Sequence, residues 1–159
     1  MVPGLPGAMF FREFSVLKVK RAVRQSWEFP FSLDECAESP LAGPFSEEQL
    51  KALDRAVGHL PFSQRTHDGR RAWNVTTKHG ELDVWLTSDG SIFVEGETSL
   101  NLVYAVFLQL LEVCPDVALE DRITGELHDR ASLLRLVRRD EQKAAWRFTA
   151  AAMLATASA

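Results

Sequence analysis

The chain has 159 residues, 46% of them hydrophobic and 25% charged, and its 18 Lys and Arg against 22 Asp and Glu give a net charge of −4. That length suits one domain with a full hydrophobic core, and the composition argues against bulk disorder. The most apolar run, Leu100 to Val113, is broken by Asn101, Gln109 and Glu112 and is too short for a bilayer span, while a sequence pI near 5.6 argues against nucleic acid as a partner.

Residues 1–159 are expected to form a single α+β domain in which 1–7, with two Pro and two Gly, make a loose entry without the basic region of a secretory leader. Met9 to Val23 alternates like a strand, apolar on both faces at its start and basic at its end through Lys18, Lys20, Arg21 and Arg24. Gln25 to Pro44 reads as a long connection, with Trp27, Phe29 and Phe31 alternating and Ser32 with Glu35 capping one short turn. Ser46 then starts the first long helix: Gln49 completes a capping box, Phe45 and Leu50 form a hydrophobic staple, and Leu50, Leu53 and Val57 make the buried stripe before Gly58 and Pro61 end it.

Arg71 to Glu97 reads as a three-stranded meander. A His79-Gly80 turn would pair Val75 with Val84 and Trp73 with Leu86. A three-residue loop, Ser88-Asp89-Gly90 with a left-handed glycine, would pair Leu86 with Ile92 and Val84 with Val94. One face then carries Trp73, Val75, Thr77, Leu82, Val84, Leu86, Ile92 and Val94. The other carries Asn74, Thr76, Lys78, Glu81, Asp83, Trp85, Phe93 and Glu95. Thr98 or Ser99 caps a second helix, apolar all round except for Asn101, Ala105, Gln109 and Glu112, which marks it as central to the core. Val117 to Leu119 forms a short strand and Thr124-Gly125 a turn. A third helix starts at Asp129 or Ser132 and runs to Phe148, with 150–159 a frayed Ala-rich tail. This order predicts a two-layer α+β sandwich, an antiparallel meander sheet packed by helices, for which a ferredoxin-like variant is the compatible topology.

Charge is strongly segregated. Lys78 to Arg122 holds nine carboxylates and no internal Lys or Arg, and Gln25 to Leu50 is a second acidic window without a basic residue. Trp85 and Phe93 are expected as cross-strand neighbours among Glu81, Asp83 and Glu95, a composition suited to a basic protein partner. The alternative is that another layer, such as the third helix with Trp146, covers them. Asp83 opposite Glu95 is a like-charge pair that costs stability unless neutralised, by a hard cation or a basic partner, or splayed into solvent beside Lys78 or an arginine from elsewhere. His59, His67, His79 and His128 share no metal-ligand spacing and read as surface residues. The clusters Lys18-Lys20-Arg21-Arg24, Arg65-Arg70-Arg71 and Arg135-Arg138-Arg139 read as solvated faces. Cys36 and Cys114 read as unpaired, Cys114 as a small buried hydrophobe. No nucleophile elbow, phosphate loop or dinucleotide fingerprint occurs, so no catalytic, cofactor or metal residue is assigned.

The sequence thus favours a small acidic protein-binding module, cytoplasmic and of bacterial type, such as an inhibitor or toxin-neutralising (immunity-type) protein, with Glu81, Asp83, Trp85, Phe93 and Glu95 meeting a basic partner and neither membrane nor nucleic acid involved. A small hydrolase or ligand-binding enzyme using the meander acids, and an assembly or adaptor subunit, are the alternatives.

Overall fold

The computed structural model describes residues 8–66 and 71–157, with 146–148 and 156–157 described by backbone alone. In chain order the elements are β1 (Phe10–Lys18), α1 (Arg21–Ser26), β2 (Phe31–Ser32), a single 3-10 turn (Leu33–Glu35), α2 (Glu47–Gly58), β3 (Ser63–Arg65), β4 (Arg71–Thr77), β5 (Gly80–Leu86), β6 (Ile92–Thr98), α3 (Leu100–Val113), β7 (Val117–Asp121), β8 (Glu126–His128) and α4 (Arg130–Ala157). The strands form one antiparallel sheet in the order β2-β8-β7-β1-β6-β5-β4-β3. This is the expected α+β sheet packed by helices. Its centre, β7-β1-β6-β5, has the split-crossover arrangement of a ferredoxin-like sheet, since α3 joins β6 to β7 with β1 lying between them.

Local chemistry fixed α2. Its capping box is complete: the Ser46 hydroxyl accepts from the Gln49 N–H at 3.2 Å, and the Gln49 side chain accepts from the Ser46 N–H at 2.9 Å. Leu50, Leu53, Ala56 and Val57 are buried on the sheet side, and Phe45 joins them. At α3, Ser99 occupies the N-cap position by backbone geometry, but its hydroxyl makes no cap bond. Leu100, Leu102, Val103, Val106, Phe107 and Leu110 are buried there, and Phe107 is 1% exposed. Removing that ring's apolar surface from water is the kind of burial that dominates folding energetics.

Several expectations needed correcting. The first strand stops at Lys18 rather than Val23: Val19 bridges to Leu41, and Arg21–Ser26 turns into α1 because that stretch has one apolar position to bury, Val23, and otherwise good helix formers. The hairpin between β4 and β5 pairs Val75 with Leu82 and Trp73 with Val84, so Val75 does not face Val84. The turn is Lys78-His79. The slip is two residues, which preserves the faces, because side-chain direction alternates with period two. The second turn matches the expectation: Val84 pairs with Val94, Leu86 with Ile92, and Gly90 has φ +88°. At Ser32 a turn forms without the side-chain cap. α4 continues past the expected end at Phe148 to Ala157, as alanine's helix propensity permits.

The sandwich also gains a partial third layer. α2, α3 and α4 pack against one side of the sheet. On the other side, Val19, Val23 and Phe29 pack with Ala118 and Leu127 into a second apolar cluster, so the segment from α1 through residue 41 roofs β7 and β8. The long connection is therefore a cover for one half of a sheet face.

Candidate functional site

Alternation puts the residues facing away from α2, α3 and α4 into transverse rows whose members are fixed by strand register. One row runs Ala72 (β4), Trp85 (β5), Phe93 (β6), Ser15 (β1), Glu120 (β7), Leu127 (β8) and Phe31 (β2). The adjacent row runs Asn74, Asp83, Glu95 and Glu13 across β4, β5, β6 and β1. Beyond it, Glu81 faces Thr76 and Glu97 faces Phe11. All five of the sequence-assigned residues, Glu81, Asp83, Trp85, Phe93 and Glu95, thus share this side of the sheet. Trp85 and Phe93 are half-buried, as are Asp83 and Glu95, and Glu81 is exposed. The side chain of Trp146, the expected alternative cover, lies outside the described residues.

Two of the carboxylates, Glu81 and Asp83, are held by a neutral group. Asn74 donates its amide to Glu81 Oε1 at 2.6 Å and to Asp83 Oδ1 at 3.0 Å, and Thr76 donates to Asn74 Oδ1 at 2.6 Å. Lys78, the expected neutraliser, takes no part. Among the described residues none of Glu13, Glu81, Asp83, Glu95 and Glu97 has an ion-pair partner, the ion pairs falling elsewhere, as at Arg24–Asp116 and Arg12–Asp140. A cation does reach this face at Arg122, whose guanidinium sits 5.4 Å above the Phe93 ring centroid and whose backbone N–H donates to the Glu13 carbonyl. Burial pushes the Glu120 carboxyl above its usual range, opposed by Arg122 and reinforced by the charges of Asp34 and Asp121.

Sequence reasoning placed Asn74 on this face but did not reach Glu13, Glu120 or Arg122 as members of it. Glu13 carried a signal, an acid inside an apolar strand with the parity of Ser15 and Leu17, but the partner strand of β1 is set by a long-range pairing that no local pattern reveals.

At the end of the sheet a cavity of about 590 Å³ is bounded by Glu47, Arg71, Ala72, Trp85 and Ser88. Its cation is committed internally, because Arg71 pairs with Glu47. None of Glu81, Asp83 and Glu95 lines it.

The histidines divide. His59 is exposed, His79 is half-buried and His67 lies outside the described residues. His128 is a correction, being 1% exposed on the helix side of the sheet, with Nδ1 3.0 Å from the Ser132 hydroxyl and Nε2 3.6 Å from Glu126. Ser132 is itself engaged with Asp129 at the start of α4, where Asp129 Oδ1 accepts from the Ser132 N–H at 2.9 Å. Buried in this way, the Ser–His contact brackets the start of α4. Cys36 and Cys114 are free, and Cys114 is buried as expected. No group of three or more His, Cys, Asp or Glu arranged to hold a metal ion occurs among the described residues. No helix among the described residues is long and apolar enough to cross a membrane.

Comparison with family models, with curated proteins and with solved structures finds no match for this chain.

Proposed function

We propose that this protein is a small acidic protein-binding module of the inhibitor or toxin-neutralising kind, and that the half of its sheet face beyond the cover of residues 19–41 docks a basic protein. The observation that carries the reading is the combination on one sheet face of a Trp–Phe pair with two neighbouring rows of carboxylates that have no ion-pair partner among the described residues. Such rows repel each other in the free protein, and a cationic partner relieves that repulsion on binding. The aromatic pair supplies the apolar contact that slows dissociation, while the acids accelerate encounter. The reading implies a cytoplasmic protein of bacterial type whose partner is encoded beside it, and it involves neither nucleic acid nor membrane.

The test is binding kinetics with the purified basic protein encoded next to this chain. Association should slow as salt rises, since exposed charges lose their reach over a Debye length of about 8–10 Å near physiological ionic strength. Trp85→Ala should mainly speed dissociation, and Asp83→Lys should mainly slow association. Salt-independent association, with both variants binding like the parent, refutes the reading.

A further inference from the structure

Residues 27–35, the first part of the second acidic window, lie at the other end of the same side of the sheet. Phe31 occupies the far end of the row that contains Trp85 and Phe93. Its ring centroid is 5.0 Å from that of Trp27, and Trp27 is 40% exposed. Trp27, Phe31, Glu28 and Glu35 border an open cavity of about 370 Å³. Glu28, Asp34 and Glu35 are exposed. Glu120 stands midway along the row, and the charge of Asp34 adds to the upward push that burial gives its carboxyl.

Four other rings of the protein carry a cation of its own. Arg65 lies over Trp73, Arg122 over Phe93, Arg12 over Phe10 and Lys18 near Phe45. No Lys or Arg among the described residues stacks on Trp27 or Phe31. The neighbouring Arg135 is directed at backbone, donating to the Phe29 carbonyl at 2.9 Å, and Arg24 pairs with Asp116. An exposed indole flanked by carboxylates, with no cation stacked on it among the described residues, is a seat for an external one, because the ring face and the acids attract the same charge while the apolar ring favours a poorly hydrated guanidinium.

We propose that Trp27 and Phe31, with Glu28 and Glu35, form a second anchor for the same basic partner, so that one face takes two cationic side chains, preferably arginines. The proposal rests on the docking function described above. Four to five strand spacings separate Phe31 from Phe93 and Trp85, roughly 19–24 Å at about 4.8 Å per strand. An extended basic segment of about six to eight residues covers that distance at about 3.3 Å each.

Indole N–H signals of the four tryptophans, assigned by single Trp→Phe variants, report each site separately. The probes are nona-arginine, long enough to span, and tri-arginine, too short, both titrated at near-physiological salt. Two anchors predict that nona-arginine moves the Trp27 and Trp85 signals along one common binding curve while leaving Trp73 unmoved. They also predict at least about tenfold tighter binding for nona-arginine than for tri-arginine, through effective concentration. Glu35→Gln, at an exposed position, should remove that advantage without altering the melting temperature or tri-arginine binding at Trp85. Movement of Trp85 without Trp27 overturns the second anchor and leaves the docking function standing. Movement of Trp27 without Trp85 overturns the shared face, and movement of neither overturns both. Equal movement of all four signals shows diffuse charge attraction and overturns the anchor.

Discussion

Asp83 faces Glu95 directly across β5 and β6, and the group that reaches Asp83 is the neutral amide of Asn74 on β4, not a cation. Opposed like charges on neighbouring strands destabilise a sheet unless something of opposite sign joins them. Glu95→Lys is therefore expected to raise stability by roughly 0.2–1 kcal/mol in urea denaturation, while weakening capture of a basic partner. A lower urea midpoint for the variant would contradict this account of the pair.

Phe107 is enclosed between α3 and the sheet at 1% exposure. Phe107→Ala should cost about 3–5 kcal/mol, through lost apolar transfer and the cavity left behind. An unchanged melting temperature would mean that the ring is not enclosed.

Gly80 has φ +124°, and a Cβ there would lie 2.4 Å from the Thr98 Cα. The obstacle is backbone, which cannot swing aside as a flexible side chain would. Gly80→Ala is expected to cost more than about 1 kcal/mol, the reverse of the usual gain from replacing glycine where space and φ allow. Chemical denaturation decides it, and parent-like stability would refute the β5–β6 geometry at this point.

His128 is buried, and that burial lowers its pKa below the usual 6.5, against the opposing charges of Glu126, Asp121 and Asp129 and with the help of Arg135. As pH falls through about 6.5 the unfolded chain takes up a proton that the folded protein does not, so stability falls on the acid side and is retained above it. His128→Gln should flatten the stability profile between about pH 7 and pH 5, whatever its effect at neutral pH. An unchanged slope would show that the imidazole takes up its proton as readily folded as unfolded.

What the sequence determined by itself was local. Ser46 with Gln49 marked the start of α2, Ser88-Asp89-Gly90 specified the β5–β6 turn, and alternation assigned Trp85, Phe93, Asp83 and Glu95 to one side of the meander. Each of these depends on residues a few positions apart, where capping bonds, turn geometry and period-two side-chain direction act directly. The β4–β5 register slipped because a shift of two residues leaves every side chain on the same face, so the hydrophobic pattern cannot tell the two pairings apart. Tertiary structure decided the rest. The pairing of β1 with both β6 and β7 brought Glu13 beside Glu95 and Ser15 between Phe93 and Glu120. Folding of residues 19–41 over β7 and β8 covered half the face, left the other half without that roof, and carried Trp27 and Phe31 to its far edge. Those arrangements come from burying apolar side chains that lie far apart in the chain, and the hydrophobic driving force has no sequence direction that would announce which distant partner it selects.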